Sequence, residues 1–159
     1  MIEHIENIKP KGDVEVIKQY KNGDIEKYCF HNTILRTGRN ALANSLANQY
    51  GDQYDYYISQ MIFGENGTSG GTPKYVNTER NGLFGVTILS KGVISTIDPN
   101  IPSMATFTSV VAFDDANGHS LNEMALRMNN GDLYSMVTFA DLGKTSNIQI
   151  VFNWRISFV

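Results

Sequence analysis

The chain has one cysteine in 159 residues, so no internal disulfide can staple it. Cys29 lies in a strand-like stretch and reads as a small buried hydrophobe. No apolar run approaches the roughly 18 residues of a membrane-spanning helix. The opening MIEHIENIKPKGD lacks the basic-then-apolar order of a secretory signal. The net charge is −3 with the signs interspersed. No basic patch is present, which argues against nucleic acid as the main partner.

Catalytic sets are missing too. His4, His31 and His119 are the only histidines, and no pair has the i, i+4 spacing of a helical zinc site. There is no G-x-S-x-G nucleophile turn, and the glycines from Gly64 to Gly71 are not followed by Gly-Lys-Ser/Thr. The chain is therefore expected to be non-enzymatic, without metal or cofactor. Asp114-Asp115-Ala116-Asn117-Gly118 suggests a calcium loop, but with the glycine at position six, position one would be Phe113. It reads as an acidic turn. Glu123, in a strand between Leu121 and Met124, has two readings: a buried acid or, the favoured one, a side chain that meets Arg127 or the turn or points to solvent.

Strand signals dominate what is present. The clearest is IQIVFNWRISFV, with Ile148, Ile150, Phe152, Trp154, Ile156 and Phe158 at every second position. Side chains alternate across a strand, so these six share one face. The gain from burying them and the entropy lost in ordering the segment are of similar size. The strand therefore needs hydrogen bonds on both edges, in the interior of a sheet. Arg155, on the other face, then needs solvent or an acid.

Residues 13–30 read as a hairpin around Asn22-Gly23. Residues 37–51 (TGRNALANSLANQYG) read as the one helix, capped by Thr37 and ended by Gly51, lying across an end or face of a sheet. Residues 56–63 form a strand that runs into a disorder-prone glycine-rich loop, 64–74. Further strands are expected over 85–98 with a break at Lys91-Gly92, over 105–113, over 121–128, and from Leu133 to Ala140. Eight or nine strands with one helix predict a mainly β fold, an antiparallel β-sandwich of jelly-roll type. Residues 1–12 read as an N-terminal arm and 13–159 as a single sandwich domain.

Several pieces resemble the structural proteins of tailed-bacteriophage virions. In the last third these are Thr106 to Phe113, Asn117-Gly118, Leu121-Asn122-Glu123-Met124-Ala125-Leu126, Asn130-Gly131-Asp132-Leu133, Thr138-Phe139, Lys144-Thr145 and Trp154-Arg155-Ile156-Ser157-Phe158. Upstream they are Asn32-Thr33-Ile34-Leu35, Gly38-Arg39 and Met61-Ile62-Phe63-Gly64. The similarity touches about two thirds of the chain. It implies a capsid decoration protein or a tail, baseplate or fibre-attachment protein, assembled in the host cytoplasm. The implied partners are further copies of the chain and major capsid or tail proteins, with neither nucleic acid nor membrane. Ile2, Ile5 and Ile8 of the arm, Tyr54, Tyr56 and Tyr57, and Gly67 and Gly70 are the expected interface residues. The alternative is a carbohydrate- or ligand-binding β-sandwich, suggested by the tyrosines and the acidic turn.

Overall fold

A computed structural model describes residues 10–47 and 56–158. The first elements are β1 (Pro10–Tyr20), β2 (Ile25–His31), the two-residue β3 (Thr33–Ile34) and α1 (Arg36–Ala47). β4 (Ile58–Gly64) is followed by a small hairpin of β5 (Thr68–Ser69) and β6 (Thr72–Pro73). β7 (Leu89–Gly92) and β8 (Ile94–Ile97) are separated only by Val93. Then come β9 (Met104–Val111), β10 (Ser120–Met128), β11 (Leu133–Gly143) and β12 (Ile148–Phe158). The fold is an antiparallel β-sandwich. One sheet runs β2-β1-β12-β9-β8 and the other β3-β11-β10-β4-β7.

β12 is the middle strand of the first sheet, as its alternation requires. It pairs with β1 from Tyr20↔Ile148 to Pro10↔Phe158 and with β9 from Val111↔Ile150 to Met104↔Ser157. Ile150, Phe152 and Trp154 are fully buried, and the Phe152 ring lies 4.8 Å from that of Phe63 on the facing sheet. The opposite face carries a polar ladder. Arg155 Nε donates to Asp13 Oδ1 at 2.8 Å, and Asn153 bridges Thr108 and Glu15.

The expected hairpin forms, with Gly23 at φ 96° in the turn, a value that suits glycine. Its register corrects the expectation for Cys29. Val14 and Val16 face inward and pair with Phe30 and Tyr28, so Cys29 stands opposite Glu15 on the solvent face and is exposed. Pro10, Lys11 and Gly12, expected in the arm, belong to β1 and pair with Phe158, Ser157 and Ile156. Proline is tolerated there as the first residue of a strand. Ile2, Ile5 and Ile8 lie outside the described residues.

The helix begins one residue early, and Thr37 does not cap it. Its hydroxyl donates to the Leu133 carbonyl, tying α1 to β11. Gly38 allows this approach, since a Cβ there would sit 2.3 Å from the Tyr134 carbonyl oxygen. Gly51 lies outside the described residues.

The second sheet is covered on both faces. Met124, Leu126 and Met128 face the sandwich core, while Ala125 joins Leu35, Ile62, Val76, Leu133 and Met136 in a second cluster. Leu83 and Phe84, from the long connection between β6 and β7, pack on that cluster. A strand covered on both sides has no polar face to alternate with, which is why residues 121–128 alternate only roughly.

Trp154→Ala removes the largest fully buried side chain from the central strand. We expect a loss of about 3–5 kcal/mol of stability, read as a lowered urea midpoint with near-native slope. A loss under about 1 kcal/mol, the range of tolerated surface changes, contradicts the central placement of β12.

Candidate functional site

Three features stand out: a buried carboxylate, a buried ammonium and an open apolar groove.

Glu123 is fully buried on β10. It meets neither Arg127 nor solvent, which corrects the expectation. Its Oε2 accepts from Phe84 N at 2.7 Å, and its Oε1 accepts from Gly85 N at 3.1 Å and Asn66 N at 3.3 Å. Arg127 donates instead to Gln60 Oε1. Next to it, Asn122 Oδ1 accepts from Gly67 N at 2.7 Å, and Asn122 Nδ2 donates to Asp141 Oδ1 at 2.9 Å. The two side chains pin the connection that follows β4 and the one that leads into β7. The glycine-rich stretch is therefore a fitted segment. Gly67 is buried, and a Cβ there would stand 2.3 Å from the Asn122 carbonyl oxygen. Glycine serves here for close approach, and Gly67, expected at an interface, is buried within the chain. Gly70, at φ 58° on the tip of the β5–β6 hairpin, is exposed.

The acidic turn already holds a cation of its own. Lys144 is 1% exposed. Its Nζ donates to Asn117 Oδ1 at 2.8 Å, Thr145 O at 3.0 Å and Phe113 O at 3.2 Å. Burial pulls its pKa below the ordinary lysine value, and the carboxylates of Asp115 and Asp114 oppose that shift. Asp115 Oδ2 accepts from Lys91 Nζ at 2.7 Å and from Ala112 N at 2.9 Å. The Lys91 hydrogen bond holds the Asp115 carboxyl below its ordinary 3.8, against the effect of burial. His119 Nδ1 lies 3.0 Å from Glu65 Oε2, and His31 is exposed. Among the described residues no group of three or more His, Cys, Asp or Glu is placed to hold a metal.

The groove, about 520 Å³, opens at one end of the sandwich. It exists because β7 pairs β4 only from Gln60 to Phe63, leaving the inner face of the first sheet uncovered beyond it. Phe107, Ile156 and Phe158 line it from that sheet, with Leu42 of α1 and Tyr57 opposite. Tyr134 also lines it; its hydroxyl is buried without a partner, and burial pushes its pKa up to about 12. Of the expected tyrosines, Tyr56 packs partly against the core and Tyr57 is 59% exposed at the groove, while Tyr54 lies outside the described residues. The groove had no local sequence signal, because its walls come from α1, β4, β8, β9, β11 and β12.

No protein-family model, curated protein or solved structure matches the chain.

Glu123→Gln keeps the shape but sets an amide NH2 among backbone donors. Hydrogen bonds to a charged group are each worth about 1.5–3 kcal/mol, so we expect a loss of that order in urea. Amide exchange should accelerate selectively at Phe84 and Gly85, and unchanged exchange there contradicts the anchoring role.

Asp115 supplies a separate pH signature. Its folded-state pKa is depressed, so the stability it contributes is present above the unfolded value and lost as pH falls through the folded one. Lys91→Met removes the main cause of the depression. Acid unfolding, followed by circular dichroism, should then begin at higher pH than in the parent. Superimposable acid curves contradict the Lys91–Asp115 coupling.

Proposed function

We propose that the chain is a non-enzymatic structural protein of a tailed-bacteriophage virion. It acts by burying surface against copies of itself and against major capsid or tail proteins, as a capsid decoration protein or as a tail or baseplate component. The observation that carries this reading is where the polar chemistry goes. Glu123, Asn122 and Lys144 are buried and spent on backbone and neighbouring side chains, whereas the groove beside α1 is open and lined mostly by apolar side chains. An open apolar surface beside a fold braced from within suits a contact protein. The resemblance of residues 106–158 to virion proteins supports the same reading, and its motifs fall on β9 to β12.

The second reading, a carbohydrate- or ligand-binding module, is favoured by Tyr57, which is 59% exposed at the groove. Tyrosine offers contact area and a hydroxyl together.

The test is to purify phage particles from cells that make this chain and to search them by mass spectrometry and antibody labelling. A fixed copy number per particle, at one location, is the expected result. Absence from purified particles, together with saturable binding on a glycan array, would overturn the virion reading in favour of the second.

A further inference from the structure

The first sheet ends at β8, and this edge differs from the others. All four of its residues are exposed, with Ile94 at 71% and Ile97 at 61%. An open edge strand presents unpaired N–H and C=O groups, and proteins guard such edges with charge, proline, bulges or short length. The other edges follow that rule. β2 carries Glu26 and Lys27, β7 carries Lys91, and β3 is two residues long. β8 reads Ile-Ser-Thr-Ile and has neither charge nor proline. Asp98, the next residue, turns back and accepts from Asn100 N at 2.9 Å.

We propose that β8 is a self-complementary edge through which two copies of this chain pair antiparallel about a two-fold axis, joining their first sheets into one. The inference deepens the homo-oligomeric part of the proposed function and rests on that reading. A second copy is the occupant because an uncharged edge is best matched by another uncharged edge. Among the described residues β8 itself is the only such edge longer than two residues. A contact that sets the same patch against itself is two-fold and closed.

The register follows from the faces. In the pairing with β9, Ser95 and Ile97 lie opposite Phe107 and Ala105 on the inner face, and Ile94 and Thr96 lie opposite Thr108 and Thr106 on the outer face. An axis normal to the sheet keeps inner with inner. Centred on Ser95, it sets Ser95 against Ser95 and Ile94 against Thr96, with Val93 beside Ile97. Centred on Thr96, it would set Asp98 against Ile94, a charge in an apolar ladder. The Ser95 axis is therefore favoured. A four-residue ladder is small beside the roughly 800 Å² per partner of a standard interface. The grooves supply the rest: Ser95 and Ile97 line them, so pairing at β8 runs the two apolar concavities together.

Sedimentation velocity and native mass spectrometry of the full chain should show a dimer or a larger even-numbered species. Ser95 is exposed, so Ser95→Lys should leave the far-ultraviolet circular dichroism spectrum intact. It should weaken association at least about tenfold, because like charges directly opposite in a ladder repel. Ser95→Glu should do the same, and mixing the two variants should restore the dimer. In a Cys29→Ser background, Ser95→Cys should oxidise to a self-linked dimer. A monomer at all concentrations, a mass indifferent to Ser95→Lys, or failure of the mixture to re-associate would each overturn the proposal. A wild-type dimer that is missing from phage particles sinks the virion reading and leaves the pairing intact. A chain found on particles whose mass ignores Ser95→Lys does the reverse.

Discussion

β12 is bonded along both edges, and both layers of the sandwich depend on it. Without it the first sheet separates into a β2–β1 hairpin and a β9–β8 pair. Neither is wide enough to cover the facing sheet, and isolated two-stranded ribbons are marginal in water. Trp154 and Phe152 fill the space between the layers, and Arg155 and Asn153 knit the outer face to Asp13, Glu15 and Thr108. One strand thus supplies core volume, ladder bonds and surface cross-links together. Removing any one of these would leave the other two without support.

The two buried charges are satisfied in complementary ways. Glu123 is ringed by backbone N–H donors, and Lys144 by carbonyl and amide oxygens. Both cost desolvation and both recover it through fixed dipoles. Each also orders a connection that would otherwise have little reason to hold one shape. Glu123 fixes the segments around Asn66 and Phe84-Gly85, and Lys144 fixes the turn from Phe113 to Asn117.

The sequence was most legible where a strand has one wet face and one dry face. β12 alternates cleanly, and its place inside a sheet could be read from residues 148–158; the β1–β2 hairpin could be read from its Asn22-Gly23 turn. β10 could not be read so clearly, because the connection carrying Leu83 and Phe84 covers its second face and erases the polar half of the pattern. Cys29 was misread because residue type was weighed without register; its partner Glu15 decides which way it points. Thr37 looked like a cap, but a distant carbonyl at Leu133 claims its hydroxyl. The role of Glu123 depends on three amides from segments 38 to 57 residues away. The groove depends on where β7 stops, which no stretch of sequence spells out.

Glu15 and Asn153, hydrogen-bonded neighbours on the first sheet, are 138 residues apart along the chain. Pairings of such range are slow, because loop closure must be overcome before any ladder bond forms. β10 and β11, by contrast, meet across a tight turn between Met128 and Leu133. During translation the second sheet can therefore assemble while the first waits for residues 148–158 to leave the ribosome. Until then Val14, Val16 and Phe107 have no strand between them. The nascent chain spends that interval with half its sandwich unroofed, and a chaperone would find its grip there.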